Sequence, residues 1–338
     1  MPNYKIAVVN SSSFGRYFTD LMIRLKKSGT VQRFEVSPEI SGKKLAAKLS
    51  GFDFIIASVT PKFSREFFEN VGEQLKLISR HGIGCDNVAK DAATANGVIV
   101  TRVEGIHERD AVAELAVSLL MSCIRDIAPA AKAVGDGRWA DRQNFIGIEV
   151  SKKTVGIIGY GNIGSRTAEI LKEGFHCEVL AHDPNIAAAV IAKNGIKPVS
   201  FTEILEKSDI LSLHASLNED NYQFIGQKEF DLMKKGVIII NTARGELINE
   251  TDLACAVKEG KVKAAGLDVV QREPIKETNP LFDLEGVLIV PHIGGYTEYS
   301  LRAMDEKMVE DVENYIAGRK LEQVINPEVI NYESDYGC

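Results

Sequence analysis

A glycine-rich segment in the middle of the chain constrains the fold more than any other feature. Residues 155–164 read Val-Gly-Ile-Ile-Gly-Tyr-Gly-Asn-Ile-Gly, an apolar strand pattern, then GxGxxG, then an amphipathic helix pattern. In such a unit Gly159 permits a tight turn, Gly161 lets the backbone approach a pyrophosphate, and Gly164 lets the helix pack on the strand. The amides that open the helix then face the phosphate oxygens. The predicted phosphate-binding residues are Gly159, Tyr160, Gly161, Asn162, Ile163 and Gly164.

An acidic residue follows this motif at the distance expected of a ribose ligand. Asp183 comes about twenty residues after the last glycine, at the end of the next apolar run. Its carboxylate would repel the 2′-phosphate of NADP, and no arginine follows at once, since the next residue is Pro184. The sequence therefore predicts NAD rather than NADP as the cofactor, with Asp183 and Pro184 among the residues that bind it.

Short apolar runs alternate with helical patterns on both sides of the motif, which predicts parallel βαβ units. Runs that are apolar throughout are expected where helices cover both faces of a sheet. The predicted strands are Ile6–Val9, Phe54–Val59, Leu75–Ser79, Val98–Thr101, Thr154–Ile158, Glu178–His182, Ile210–Leu213, Val237–Asn241, Ala264–Val269 and Val287–Val290. The predicted helices include Phe18–Lys27, Lys43–Leu49, Arg109–Ile127, Ile163–Lys172, Glu250–Lys258 and Tyr299–Ala317. A looser stretch is expected over 135–147.

Three polar residues follow predicted strands, at the edge where open α/β sheets bind ligands. Arg244 offers a planar, charged fork that can hold a carboxylate through two hydrogen bonds. His292 can accept a hydroxyl proton during oxidation and return it during reduction, and Glu273 can orient the imidazole and raise its pKa. Each residue alone is more often structural or solvated, so the prediction depends on their coincidence with the dinucleotide motif. Together they predict hydride transfer between NAD and a small 2-hydroxy acid.

Longer stretches give these residues a family context. The chain resembles the D-isomer-specific 2-hydroxyacid dehydrogenases over almost its whole length, through residues 75–88, 111–115 and 154–159 and through the surroundings of the three polar residues. The resemblance implies that Arg244 binds the substrate carboxylate, that His292 is the general acid–base, and that Glu273 supports it.

The resemblance implies further site residues. Asp268 resembles the residue near the nicotinamide carboxamide, and Gly82-Ile83-Gly84 resembles the substrate loop, whose backbone touches the acid. His214 is expected to be structural rather than catalytic, and Ser216 stands where family members often carry proline. The implied cofactor-binding residues outside the glycine motif are His214, Ala215, Ser216, Thr242, Ala243 and Asp268. The implied substrate-binding residues are Arg80, Gly82, Ile83, Gly84 and Arg244.

The resemblance also implies the domain organisation: α/β, with two doubly wound parallel-sheet domains. A Rossmann NAD-binding domain, 105–296, would be inserted into a discontinuous flavodoxin-like substrate domain, 1–104 and 297–338, with the active site in the cleft between them. The family usually dimerises through the NAD-binding domain. A homodimer is therefore expected, involving the long helix after Arg109 and the segment around Trp139.

Two departures from the family leave the substrate open. Glu104 stands where many members have a Pro-Gly turn, and it either influences substrate choice or is a solvated hinge residue. The loop at 57–62 lacks the Arg-Ser pair of phosphoglycerate-type enzymes, which weakens the case for a phosphorylated substrate. Lys62 and Arg80 could still supply positive charge.

Two related classes remain as alternatives. Formate dehydrogenase shares the fold but pairs its catalytic histidine with glutamine, whereas Glu273 suits proton exchange with a hydroxyl better. NAD-sensing corepressors also use this fold, and some keep all three catalytic residue types. Absence of turnover on a broad panel of 2-oxo acids would favour a corepressor-like binding protein.

Composition limits the classes of partner and the cellular location that we expect for this chain. The net charge of −7 over 338 residues opposes general binding to nucleic acid or an anionic membrane. The five cysteines form no CxxC pair, so we expect neither a disulfide framework nor a metal site. We expect a reducing, cytoplasmic location. No apolar run is long enough to span a membrane, and the first residues do not resemble a signal peptide. No C-terminal regulatory domain is expected after the last helix.

Overall fold

The alternating apolar runs fold into parallel sheets flanked by helices. This computed structural model describes residues 4–330; residues 1–3 at the N-terminus and the tail 331–338, with Cys338, lie outside the described residues. The strands are β1 (Tyr4–Val9), β2 (Gly29–Phe34), β3 (Phe54–Ala57), β4 (Leu77–Arg80), β5 (Ile99–Arg102), β6 (Thr154–Ile158), β7 (Glu178–His182), β8 (Lys197–Pro198), β9 (Ile210–Leu213), β10 (Val237–Asn241), β11 (Val262–Leu267) and β12 (Val287–Ile289). The helices are α1 (Thr19–Ser28), α2 (Gly42–Leu49), α3 (Arg65–Val71), α4 (Lys90–Ala95), α5 (Ile106–Ile124), α6 (Ile127–Gly135), α7 (Asn162–Phe175), α8 (Ala188–Lys193), α9 (Phe201–Lys207), α10 (Gln227–Leu232), α11 (Glu250–Lys258) and α12 (Glu298–Ile316).

Unit 1 comprises the residues up to Glu108 and those from Gly295 onwards. Its sheet has five parallel strands in the order β2-β1-β3-β4-β5, the doubly wound order of flavodoxin-like folds. The helix α12 belongs to this unit and is capped by Thr297, whose side chain accepts a hydrogen bond from the amide of Ser300. Its buried face includes Met304, Met308 and two carboxylates that are described below.

Unit 2 comprises Arg109–Gly294. Its seven strands are parallel and lie in the order β12-β11-β10-β9-β6-β7-β8. The order reverses between β6 and β9, and ligands of open α/β sheets bind outside the carboxyl ends of the strands at such a switch point. The glycine motif follows β6, so the structure places it at this point. The predicted fold class, two doubly wound parallel-sheet α/β domains, is confirmed.

The predicted long helix at 109–127 needs correction. Helix α5 runs from Ile106 to Ile124, and the chain then turns at Asp126, which has a left-handed φ of 50°. A second helix, α6, starts at Ile127 and contains Pro129 in its first turn, where a missing amide proton breaks no helical hydrogen bond. The proline therefore begins a helix rather than stopping one.

Other parts of the sequence-based assignment were incomplete. Strand β2 and helix α3 were not predicted, and the supposedly loose stretch at 135–147 contains a 3₁₀ turn at Trp139–Asn144. Within residues 4–330, no helix is long and apolar enough to cross a membrane.

Candidate active site

The three motif glycines in unit 2 have distinct surroundings. Gly159 has a positive φ of 90°, and a Cβ atom there would lie 2.6 Å from the amide nitrogen of Ala215. A Cβ atom on Gly164 would lie 1.9 Å from the carbonyl oxygen of Gly159, so only glycine lets the helix α7 approach the turn. At Gly161 a Cβ atom would meet nothing within 4 Å. The open space over Gly161, together with the free amides of the first turn of α7, fits a bound pyrophosphate.

Asp183 fixes the same turn from the neighbouring strand. One carboxylate oxygen accepts a hydrogen bond of 2.8 Å from the amide of Tyr160, and the other accepts one of 2.8 Å from the amide of Asn185. A carboxylate can accept more than two hydrogen bonds, so Asp183 retains capacity for ribose hydroxyls. The adjacent Pro184 is exposed.

The segments expected to line the cofactor contain buried polar atoms without partners. Among the described residues, nothing bonds Oγ1 of Thr242 or Nδ1 of His214. Nε2 of His214 lies 2.9 Å from Oγ of Ser212, and burial lowers the pKa of His214 to about 4, so its imidazole is neutral near pH 7. Buried polar groups normally find a partner, so these two atoms fit the polar groups of a dinucleotide.

The arginine segment follows β10 in a tightly specified turn. Oδ1 of Asn241 accepts from the amide of Ala243, and Nδ2 of Asn241 donates to the carbonyl of Arg244 over 2.8 Å. A Cβ atom on Gly245 would lie 2.0 Å from the backbone of Val270, so glycine is needed after the arginine. Nη1 of Arg244 donates to the carbonyl of Ala243 at 2.6 Å.

Asp268 ties the histidine segment to β11. Its carboxylate is 2% exposed and accepts from the amide of Ile293 at 2.6 Å and from the amide of Gly294 at 2.8 Å. The amide of His292 also donates to the carbonyl of Asp268. Burial raises the pKa of Asp268, and the two amides and the charge of His292 oppose that shift. This brace holds His292 at a left-handed φ of 52°.

His292 and Glu273 form a hydrogen-bonded pair. Nδ1 of His292 lies 2.7 Å from Oε2 of Glu273, and the two side chains are 30% and 26% exposed. Burial of the imidazole opposes its charge, but the hydrogen bond and charge of Glu273 outweigh burial, so the pKa of His292 is raised. The charge of Arg244 acts on the same imidazole and opposes the rise. The structure thus brings the three predicted catalytic residues to one region of unit 2.

The predicted substrate residues of unit 1 lie after β4. Arg80 is 2% exposed; its Nε donates to Oδ1 of Asn87 over 3.2 Å, and its Nη1 contacts the carbonyl of His81. Gly82 has a φ of 140°, a conformation that favours glycine. In residues 4–330 no group accepts a hydrogen bond from the amides of Ile83 and Gly84. Arg80 therefore braces the loop, whose amides are available to a ligand.

Sequence reasoning missed one buried pair at this loop. Nε2 of His81 lies 2.9 Å from Oδ1 of Asp305, which stands 224 residues later on α12. No local pattern joins two residues so far apart. No group of three or more His, Cys, Asp or Glu side chains in the described part of the chain is arranged to hold a metal ion.

Comparison with known proteins identifies the family. Residues 117–294 match the family model of the D-isomer specific 2-hydroxyacid dehydrogenase NAD binding domain. The chain is 36% identical over 297 residues to D-3-phosphoglycerate dehydrogenase of Methanocaldococcus jannaschii, covering 88% of this chain and 56% of that protein. It is 34% identical over 292 residues to glyoxylate reductase of Thermococcus litoralis, covering 85% of this chain and 87% of that protein.

A solved structure shares the fold across both units. The crystal structure of a glyoxylate reductase from Paecilomyes thermophila matches with a TM-score of 0.82 and 29% identity, covering 96% of this chain and 99% of that one. The chain belongs to the D-isomer-specific 2-hydroxyacid dehydrogenase family and carries its NAD-binding domain. It spans about half the length of the phosphoglycerate dehydrogenases that it matches.

Proposed function

We propose that this protein is an NAD-dependent dehydrogenase that interconverts a small D-2-hydroxy acid and its 2-oxo acid. The observation that carries the proposal is the pair of His292 and Glu273 beside Arg244 in unit 2. The family supports the reaction class, and the glycine turn with Asp183 supports NAD as the cofactor.

His292 is the proposed general acid–base. Its Nδ1 is held by Glu273, and among the described residues Nε2 has no hydrogen-bond partner. Nε2 would accept the hydroxyl proton of the hydroxy acid during oxidation and return it to the oxo oxygen during reduction. Glu273 stabilises the imidazolium that exists between these events, and the raised pKa of His292 keeps a protonated population near neutral pH.

Arg244 is the proposed carboxylate-binding residue. Its guanidinium can hold both oxygens of a carboxylate through parallel hydrogen bonds, which would fix the orientation of the reacting carbon. The amides of the substrate loop, Gly82–Gly84, are further proposed contacts for the acid, with Arg80 as the brace of that loop.

Residues from three segments are proposed to hold NAD. These are the glycine turn at 159–164 with Asp183 and Pro184, the loop at 214–216, and Thr242, Ala243 and Asp268 at the ends of β10 and β11. Bound NAD would accept or supply the hydride. The carboxylate of Asp183 disfavours the extra phosphate of NADP.

The activities of the relatives indicate which classes of substrate to consider. Those named above are a D-3-phosphoglycerate dehydrogenase and two glyoxylate reductases. We favour a small unphosphorylated acid, because the loop at 57–62 lacks the arginine expected for a phosphate. Lys62 is exposed and Arg80 is buried in its own loop.

Steady-state kinetics tests the function. Glyoxylate, hydroxypyruvate, pyruvate, branched 2-oxo acids and phosphohydroxypyruvate would each be offered with NADH and with NADPH. We expect oxidation of NADH with one of the small acids, weaker use of NADPH, and little use of the phosphorylated acid. Dinucleotide binding without turnover on any acid would contradict the enzymatic proposal.

We also propose a cytoplasmic homodimer. Exposed apolar side chains on and after α6 support an interface there, with Ile127 51%, Trp139 70% and Ile146 77% exposed. Light scattering on wild type and on W139E would test it, with a dimer expected only for the wild type. The acidic net charge and the cysteine usage support the location, which fractionation of the source cells would test.

A further inference from the structure

Unit 1 contains a second histidine–carboxylate pair, which is sealed from solvent. The side chains of His81 and Asp305 are 5% and 1% exposed. His81 is the first residue after β4 and directly precedes Gly82, whereas Asp305 lies on α12. Because neither group is accessible, the pair cannot exchange a proton with a bound molecule.

Asp305 joins two loops that strand pairing does not join. Its Oδ1 bonds His81, and its Oδ2 accepts a hydrogen bond of 2.8 Å from the amide of Gly15. Gly15 lies in the loop after β1, and β3 separates β1 from β4 in the sheet. The ring of Phe14 also packs edge-on against His81, with 5.9 Å between the ring centroids. One buried carboxylate thus holds two loops at the carboxyl edge of this sheet.

His81 sits where the backbone changes direction. Its own amide donates to the carbonyl of Ala57 and continues the strand pairing. The next amide, of Gly82, donates back to the carbonyl of Arg80 at 2.9 Å, so the chain turns at His81. The carbonyl of Gly82 then accepts from the amide of Val103. The orientation of the following amides, at residues 83 and 84, is set by this turn.

We propose that the buried His81–Asp305 pair is a positioning device for the substrate loop. It acts through the backbone: the side chain of His81, held by Asp305, fixes the turn that presents the amides of Ile83 and Gly84 to the substrate acid. This inference rests on the proposed function. Small displacements of a positioning group cost reaction rate steeply, by up to about a hundred-fold for 1 Å.

Three variants separate positioning from general stability. His81→Leu removes the hydrogen-bond donor, whereas His81→Gln keeps an N–H donor of similar reach. Ser79→Ala is the matched control, because Oγ of Ser79 donates to Asp311 at 2.7 Å and joins the same strand to the same helix without touching the loop. Each variant is measured for KM and kcat with the preferred 2-oxo acid, for NADH affinity, and for thermal unfolding.

We expect His81→Leu to raise KM by about ten-fold or more, with NADH affinity unchanged, and His81→Gln to recover most of the loss. Ser79→Ala should lower the unfolding temperature without moving KM. Equal KM values for His81→Leu and Ser79→Ala, or no recovery by glutamine, would overturn the proposal.

Hydrogen exchange provides a readout that does not need turnover. The amides of Gly82 and Val103, whose hydrogen bonds close the turn, should exchange faster in His81→Leu than in wild type or Ser79→Ala, because the turn is released. If the wild type turns over no 2-oxo acid, the proposed function fails, but these exchange rates still decide whether the pair fixes the loop. If His81→Leu does not fold, Asp305→Ala replaces it; it removes the acceptor of both Gly15 and His81, so faster exchange in both loops is expected. Unchanged exchange in either variant would overturn the proposal.

Discussion

Each unit contains a histidine–carboxylate pair whose histidine lies shortly after a parallel strand, and the two pairs differ in access rather than in bond length. In unit 2, His292 and Glu273 are 2.7 Å apart and more than a quarter exposed. In unit 1, His81 and Asp305 are 2.9 Å apart and almost fully buried. The distance between partners therefore does not tell which histidine exchanges protons.

The surroundings of the carboxylates explain the difference. Both oxygens of Asp305 are used, one by His81 and one by the amide of Gly15, so the pair is complete without a ligand. Within residues 4–330, Glu273 bonds Nδ1 of His292 and otherwise accepts only a long hydrogen bond, 3.3 Å, from the amide of Val270. The accessible pair of unit 2 is suited to exchanging a proton with a substrate. The buried pair of unit 1 is suited to fixing the position of the backbone.

The largest expected effect is on catalysis in unit 2. His292→Asn should lower kcat by about 10²–10⁴-fold, because the proton donor and acceptor is lost. NADH affinity should stay unchanged, measured by fluorescence titration. The control is His81→Gln, which should keep kcat close to wild type. A His292→Asn variant with wild-type kcat would remove the distinction between the two pairs.

The second expected effect is on the free energy of unfolding. It should be larger for the buried pair of unit 1 than for the accessible pair of unit 2. Asp305→Ala leaves two buried donors without an acceptor, so we expect a loss of about 3 kcal/mol in the free energy of unfolding. Glu273→Ala should cost about 1 kcal/mol or less, because its side chain can be replaced by water. Urea titration followed by circular dichroism measures both. Equal losses of unfolding free energy in the two variants would show that burial does not determine how much each pair stabilises the fold.

The third effect concerns the residue beside the accessible pair. Arg244→Lys keeps the charge but cannot form two parallel hydrogen bonds, so kcat/KM should fall by about 10–100-fold. Arg138→Lys is the control, since Arg138 is exposed and, in the part of the chain that the structure describes, bonds only Asp136 and Asp141. A kcat/KM within the range of that control would argue against a bidentate grip by Arg244.

The sequence predicted those features that one short segment specifies. The roles of Gly159 and Gly164 follow from local sterics, and the structure shows the close contacts that exclude a side chain there. Strand β2 escaped prediction because it lies at the sheet edge and mixes partly buried residues with exposed ones, among them Gln32 and Arg33. An edge strand pairs on one side only, so it lacks the continuous apolar run of central strands.

Long-range pairs were beyond local reasoning. His292 and Glu273 are 19 residues apart and were predicted to act together because their segments resemble those of a known family. His81 and Asp305 are 224 residues apart, and nothing in either segment indicates the other. Helix α6 was missed for a local reason, since Pro129 is compatible with either a helix end or a helix start.

The smallest expected effect is a shift of a pH profile. In Glu273→Gln the carboxylate charge that raises the pKa of His292 is absent, so that pKa should fall. Reduction of the oxo acid needs protonated His292, so its decline with rising pH should begin at lower pH. Oxidation needs neutral His292, so its rise should also move to lower pH. Rate profiles in both directions, with the exposed Glu277→Gln as control, measure the shift.

The charge of Glu273 also makes the stability of the fold depend on pH. Because the pKa of His292 is raised in the folded protein, the pair stabilises the fold at pH values below the pKa of unfolded histidine. That contribution is lost as pH rises through the folded value, and Glu273→Gln should remove the part of it that Glu273 supplies. The side chains of His81 and Asp305 are almost fully buried and lie in unit 1. A profile that moves in His81→Gln as far as in Glu273→Gln would therefore contradict the assignment of proton transfer to unit 2 alone.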